Sequence, residues 1–372
     1  MQPGYNTKSE FVGERPNHQS YMMSANPRSD SMVTTAAGPA RPVSQMDSAI
    51  ADFERPDERP DDRPDSAEVE LLATLLKNSN ILIEAREYRL AFNLLRSVLI
   101  RCPDSPQGLS NMGLCLRELG RYEEALKCFR ALVKVQGASG KFDAQVLIAE
   151  TLYLGERDEM ALAAYRDVLK SVPENYKRLF EIYKNIGNIH VRAGDFDAAE
   201  EFYNKAHTIN PESDVLMVNY GTLEIQRENF EAAVLRFRRA VELNPENDKG
   251  WVGLALVHRQ MGDFDLSWAN VQRALDINHK NRTAIRLVVE WAVADQRFAL
   301  AITRLQEYLE ADGEDAEMSF MLAKIFTHIG RLQEARLEME RVLALDPVIE
   351  NGEAVMAALD RELTRSKGLE KV

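Results

Sequence analysis

The stretch Ile186-Gly187-Asn188-Ile189-His190-Val191-Arg192-Ala193-Gly194-Asp195-Phe196-Asp197-Ala198-Ala199 contains the end of one amphipathic helix, a turn and the start of a second helix. Gly187 offers no side chain, so another helix can press close. Gly194 supplies the left-handed backbone that ends the first helix. Phe196 packs back into the pair, and Ala199 gives the second helix a tight seat. The same order of signals returns in both directions along the chain. Units starting at Leu72, Pro106, Phe142, Phe180, Asp214, Asp248, Arg282 and Ala316 are spaced by 34, 36, 38, 34, 34, 34 and 34 residues. A fixed period of this size predicts stacked helix pairs, each burying its apolar face on its neighbours.

The eighth place of each unit is small: Ser79, Gly113, Ala149, Gly187, Gly221, Ala255 and Ala323, with Val289 the exception. Gly120, Gly194, Gly262 and Gly330 mark the turn, and Ala91, Ala125, Ala161, Ala199, Ala233, Ser267, Ala301 and Ala335 begin the second helix. Four places further lies a larger apolar residue, as at Phe129, Tyr165, Tyr203 and Phe237, giving the stripe of a buried helix face. Pro103, Pro173, Pro211, Pro245 and Pro347 close units, since proline cannot continue a helix interior.

Together these positions resemble the tetratricopeptide repeat family over residues 72–347. The resemblance implies an all-α, right-handed superhelical solenoid of helix-turn-helix repeats, about eight of them, whose first helices line a concave groove for peptides or protein segments. Glu353 to Arg365, with Val355, Met356, Leu359 and Leu363 on one face, predict a capping helix over 350–366, followed by a flexible tail at 367–372. Unit two lacks its closing proline and unit three is lengthened by Glu174 to Leu179, so a bend is expected within 136–180.

Residues 1–66 are rich in Pro, Ser, Asn and Gly and are expected to be disordered. The segment ends in Glu54-Arg55-Pro56-Asp57, Glu58-Arg59-Pro60-Asp61 and Asp62-Arg63-Pro64-Asp65, where a proline every fourth residue favours an extended spacer, or a docking peptide.

The net charge of −13 argues against a surface that tracks nucleic-acid phosphates. No apolar run is long enough to span a membrane. The polar N-terminus lacks the apolar core of a signal peptide, which makes the cytoplasm the expected compartment. Cys102, Cys115 and Cys128 have neither disulfide nor zinc spacing and are read as small core residues in a reducing compartment. Gly137-Ala138-Ser139-Gly140-Lys141 is too short between glycines for a phosphate loop, and Phe142 stands where a magnesium-binding hydroxyl would be needed. No nucleophile turn and no His-Glu-x-x-His spacing occur, so no catalytic residue, cofactor or metal is expected. His190 and His258 share one place in two units and are read as groove or packing residues. Trp251 is expected in the core, while Trp268 and Trp291 resist assignment.

One set of residues stands apart. Lys184, Asn188, Asn219 and Lys249 fall on three successive first helices, and Arg259 and Arg286 extend the row. The first four resemble the carboxylate clamp of some tetratricopeptide co-chaperones, which implies an acidic or C-terminal carboxylate segment as partner. Gly253 departs from that pattern, standing where an arginine is usual. The expectation is a non-enzymatic adaptor that binds a protein or peptide. The alternatives are a regulatory or substrate-recruiting subunit of an enzyme, such as a glycosyltransferase or a small-GTPase system, and a self-assembling element.

Overall fold

Each unit of the sequence becomes a pair of helices. The computed structural model describes residues 66–136, 140–311 and 315–369; the expected disordered segment and spacer up to residue 65, Gly137-Ala138-Ser139, and the last three residues of the expected flexible tail lie outside these. The chain divides into two compact units at Pro211 and Glu212. The first unit contains α1 (Ser66–Glu84), α2 (Tyr88–Arg101), α3 (Pro106–Glu118), α4 (Tyr122–Val135), α5 (Lys141–Leu154), α6 (Asp158–Leu169), α7 (Leu179–Ala193) and α8 (Phe196–Ile209). The second contains α9 (Asp214–Gln226), α10 (Phe230–Leu243), α11 (Asp248–Gln260), α12 (Phe264–Ile277), α13 (Arg282–Ala294), α14 (Phe298–Ala311), α15 (Ala316–His328), α16 (Leu332–Leu345) and α17 (Gly352–Leu369). No strand occurs among the described residues, and the architecture is an all-α helical repeat solenoid.

Helix starts follow local chemistry. Ser105, Ser213, Asn247, Asn281 and Asp315 each accept a hydrogen bond from a backbone N–H in the first turn of a first helix, at distances of 2.8–3.2 Å. The turns inside the pairs are more uniform than their sequences. Gly120, Gly194, Gly262 and Gly330 have φ of 74, 77, 82 and 80°. Arg86, Glu156, Glu228 and Gln296 occupy the same place in the other four pairs and take φ of 57–62° without being glycine.

The small eighth residues work as expected. A Cβ at Gly113 would lie 2.4 Å from the Phe129 ring, at Gly187 2.4 Å from Tyr203 and at Gly221 2.7 Å from Phe237. Phe237 also excludes a side chain at Gly253 of the next pair, where a Cβ would come within 2.2 Å. Val289 stays fully buried, and the second helix of its pair carries Leu305 in place of a ring.

The last helix covers the end of the core in the second unit. Leu359 of α17 is buried, Val355 and Met356 pack beside it, and Asp360 pairs with Arg336 of α16 at 2.7 Å. Trp251 is only half-buried, its indole N–H donating to the Pro245 carbonyl at 2.9 Å. Cys115 and Cys128 are buried free thiols, and burial, reinforced by Glu118 and Glu124 respectively, pushes both up to about 12. At that value neither is a nucleophile near neutrality.

Candidate functional site

The polar residues of the first helices do two jobs, and the division decides which of them are available to a partner. In the first unit most link neighbouring repeats. Asn111 donates to Asn80 at 2.6 Å. Glu150 accepts from Arg117 at 3.3 Å and also from Arg178. Arg192 donates to Asp158 at 3.0 Å and lies over the Tyr153 ring, 4.4 Å from its centroid. These pairs are largely covered, so the charges need one another: removing one partner would leave the other buried and unpaired.

Two of the six residues of the predicted row belong to this unit, and both are engaged. The Asn188 amide donates to the Tyr153 hydroxyl at 3.0 Å and accepts from the Tyr203 hydroxyl at 2.8 Å. The Lys184 ammonium donates to Glu181 and lies 5.7 Å from the centre of the Phe180 ring. Asn188 is thus a packing residue as much as a surface one. His190 stacks on Phe202 with centroids 5.6 Å apart, and its Nδ1 is 3.5 Å from Asp195.

In the second unit a regular device replaces these varied pairs. Asp214 accepts from the side-chain amides of Asn244 and Asn247 at 2.7 and 2.9 Å. One repeat on, Asp248 accepts from Asn278 and Asn281 at the same two distances. Asn247 and Asn281 use both ends of the amide, the nitrogen reaching back to the preceding repeat while the oxygen caps its own helix. An aspartate could cap but could not also donate to a carboxylate. The third link keeps the geometry and reverses the charge. Arg282 stands where the two aspartates stood and donates to Asp315 at 2.8 and 3.1 Å and to Glu317 at 2.8 Å. Burial works against its charge, but the hydrogen bonds to Asp315 and the carboxylates of Asp315 and Glu317 hold the guanidinium above its ordinary value.

The other four residues of the predicted row lie here. Asn219 is half-buried and Lys249 is exposed. Arg286 sits 3.4 Å from Glu317 and 3.9 Å from Glu290. Arg259 lies between two rings, 4.7 Å from the centre of Phe264 and 5.0 Å from that of Trp291, with Asp295 at 3.8 Å. The two units therefore hold two and four members of the row, each in its own setting. The inter-repeat links escaped sequence reading because their partners are 28–35 residues apart and differ in type from link to link. The Asn-x-x-Asn spacing of Asn244/Asn247 and Asn278/Asn281 was the available signal.

A cavity of about 320 Å³ opens at the turn edge between Gly120 and Arg157, lined by the Arg121–Glu124 and Arg157–Glu123 ion pairs. Among the described residues no group of three or more His, Cys, Asp or Glu side chains is placed to hold a metal ion, and no helix is long and apolar enough to cross a membrane.

Comparison with known proteins agrees with the repeat geometry. Three sequence models described as tetratricopeptide repeat match residues 106–137, 180–213, and 221–281 together with 292–348. No curated protein matches the chain. Among solved structures, the APC/C hetero-tetramer Cut9-Hcn1 aligns with 77% of this chain at 14% identity and a TM-score of 0.46, and this chain spans only 48% of that one. A tetratricopeptide repeat protein from Parabacteroides merdae aligns with 68% of this chain and 98% of its own at 16% identity and a TM-score of 0.48. A human IFIT1 dimer with PPP-AAAA aligns with 73% and 72% at 17% identity and a TM-score of 0.45.

Proposed function

Because the chain belongs to the tetratricopeptide repeat family, whose members are protein-interaction scaffolds, we propose that it is a non-enzymatic adaptor that binds an extended segment of a partner along its first helices. The observation that carries this reading is the fixed polar surface of those helices. Side chains such as Asn188, Arg192 and Arg286 are already held by neighbours, so a partner would meet an ordered surface and little ordering cost would fall on the scaffold.

Lys249 is the exposed cation of the row in the second unit and is assigned to an acidic or carboxylate-bearing segment, with Asn219 on the preceding first helix and Arg259 and Arg286 further along. Lys184 and Asn188 would serve the same partner class from the first unit. Three free cysteines agree with a cytoplasmic setting.

The test is affinity capture from native extract with quantitative mass spectrometry, using wild type, Lys249→Glu and Lys184→Glu separately. A partner lost with Lys249→Glu supports the reading, and loss with Lys184→Glu extends it to the first unit. Retention of every partner by both variants overturns it. An enzyme among the lost partners would make the chain a recruiting subunit.

A further inference from the structure

One turn of the second unit carries apolar surface that the fold does not require. The turns Ala193-Gly194-Asp195-Phe196-Asp197-Ala198 and Met261-Gly262-Asp263-Phe264-Asp265-Leu266 occupy the same place in two repeats and share the Gly-Asp-Phe-Asp centre. Alanine suffices at both ends of the earlier turn, whereas the later one has Met261 and Leu266, exposed by 49 and 44%. Its phenylalanine differs as well. The residues at the place of Phe264 in the other seven pairs, Tyr88, Tyr122, Asp158, Phe196, Phe230, Phe298 and Leu332, are all half-buried, but Phe264 is 54% exposed.

Behind this turn lies an unusual group of side chains. The Arg259 guanidinium is held between the Phe264 and Trp291 rings, Trp291 meets Trp268 edge to face at 5.7 Å, and Arg297 lies 5.8 Å from the centre of the Trp268 ring. Trp291 is itself buried, so this group is a rigid base beneath the turn and the surface offered to a partner is that of Met261 and Phe264. Arg259 already faces Asp295; Asp263 and Asp265, on either side of Phe264, are exposed, Asp263 with the His258 Nδ1 at 3.7 Å, and Arg297 is the exposed cation of the group. The solvated charge around the apolar surface is therefore acidic on balance.

We propose that Met261 and Phe264, on this aromatic and arginine base, form a docking surface for a partner segment that presents a large apolar side chain with lysine or arginine beside it. The apolar side chain would pack on Phe264 and Met261, and the flanking cation would meet Asp263 and Asp265. This surface lies at the turn and shares only Arg259 with the predicted row, so variants at Met261, Phe264 and Lys249 test the two apart.

The experiment selects a random peptide library, displayed on phage, against the immobilised full chain. Selected peptides are synthesised and titrated by tryptophan emission. The main variant is Met261→Ala/Phe264→Asp, which installs residues that the chain already uses at these places, Ala193 and Asp158. Asp265→Lys is a second variant that changes charge without touching a ring. Selected peptides should pair an apolar anchor with Lys or Arg and bind both variants at least about tenfold more weakly, but bind Lys249→Glu as they bind wild type. Equal binding to Met261→Ala/Phe264→Asp overturns the proposal, as does a selected set that is acidic. A wild-type dimer in sedimentation that dissociates in the same variant would also overturn it, by making a second copy of the chain the occupant.

Discussion

The two units solve the same packing problem with different regularity. In the first, repeat starts are spaced by 34, 36 and 38 residues, and the polar links between repeats are varied: Asn111 to Asn80, Glu150 between Arg117 and Arg178, and Arg192 to Asp158. In the second, every spacing is 34, and one link recurs at one place, as Asp214 with Asn244 and Asn247, then Asp248 with Asn278 and Asn281, then Arg282 with Asp315. A strict period returns each side chain to the same surroundings, so one solution can be reused. An insertion shifts the helices relative to each other, and each junction needs its own pairing.

The largest expected effect concerns how many repeats one ring joins. Phe237 closes against Gly221 of its own pair and Gly253 of the next, whereas Phe129 closes against Gly113. Phe237→Ala should cost about 4 kcal/mol and Phe129→Ala about 3 kcal/mol, because the first removes close packing in two pairs at once. Hydrogen exchange of the α10 and α11 amides against those of α4 would measure the two separately, without assuming that the units unfold together. Equal losses would mean that regular spacing does not strengthen the coupling between repeats.

The charge-reversed link gives a sharper test. Arg282→Asp should destabilise the second unit by about 3 kcal/mol, since the new carboxylate would face Asp315 and Glu317 in a partly covered site. Adding Asp315→Asn recreates the arrangement seen at Asp214/Asn247 and Asp248/Asn281, in which the asparagine caps its helix and donates backward. The double variant should recover all but about 1 kcal/mol, the remainder reflecting Glu317 and the lost guanidinium contacts. Thermal melts of the single and double variants decide it, and failure to recover would show that the three links are not interchangeable.

Much of this architecture was legible in the sequence. The period, the small eighth residues and the turn glycines are local signals with direct steric causes, and the helix starts at Pro106, Asp214, Asp248, Arg282 and Ala316 coincide with the unit starts read from the sequence. The first helix begins at Ser66, ahead of Leu72, because nothing in the repeat pattern marks its extra leading turn. The predicted row was harder to judge. Lys184 and Asn188 have residue types suited to a ligand, but whether such a side chain is free depends on Glu181, Tyr153 and Tyr203, and the two tyrosines are 35 and 15 residues away from Asn188. The Phe264 surface was missed because the sister turn has the same Gly-Asp-Phe-Asp sequence with its Phe196 half-buried.

The turns limit the comparison, because here the units do not differ. Inside the helix pairs each has two left-handed glycines and two left-handed residues of other types, in strict alternation: Arg86, Gly120, Glu156 and Gly194 in the first, Glu228, Gly262, Gln296 and Gly330 in the second. The sequence carried no sign of the non-glycine members, since Arg, Glu and Gln have no preference for that backbone region. Their conformation is imposed by the helices on either side, and an L-residue held there costs about 1–2 kcal/mol. Glycine removes that strain but is more flexible in the unfolded chain, which returns roughly 0.5–1 kcal/mol. Glu156→Gly and Glu228→Gly should therefore each stabilise the chain by about 0.5 kcal/mol. The reverse changes are clean, because a Cβ at Gly194 or Gly262 would meet nothing within 4 Å. Gly194→Ala and Gly262→Ala should each cost about 0.5 kcal/mol, the backbone strain less the entropy that alanine removes from the unfolded chain. Denaturant titration of the four variants would show equal shifts in both units if the turn is a local device. A larger shift in the first unit would mean that its irregular spacing also strains its turns.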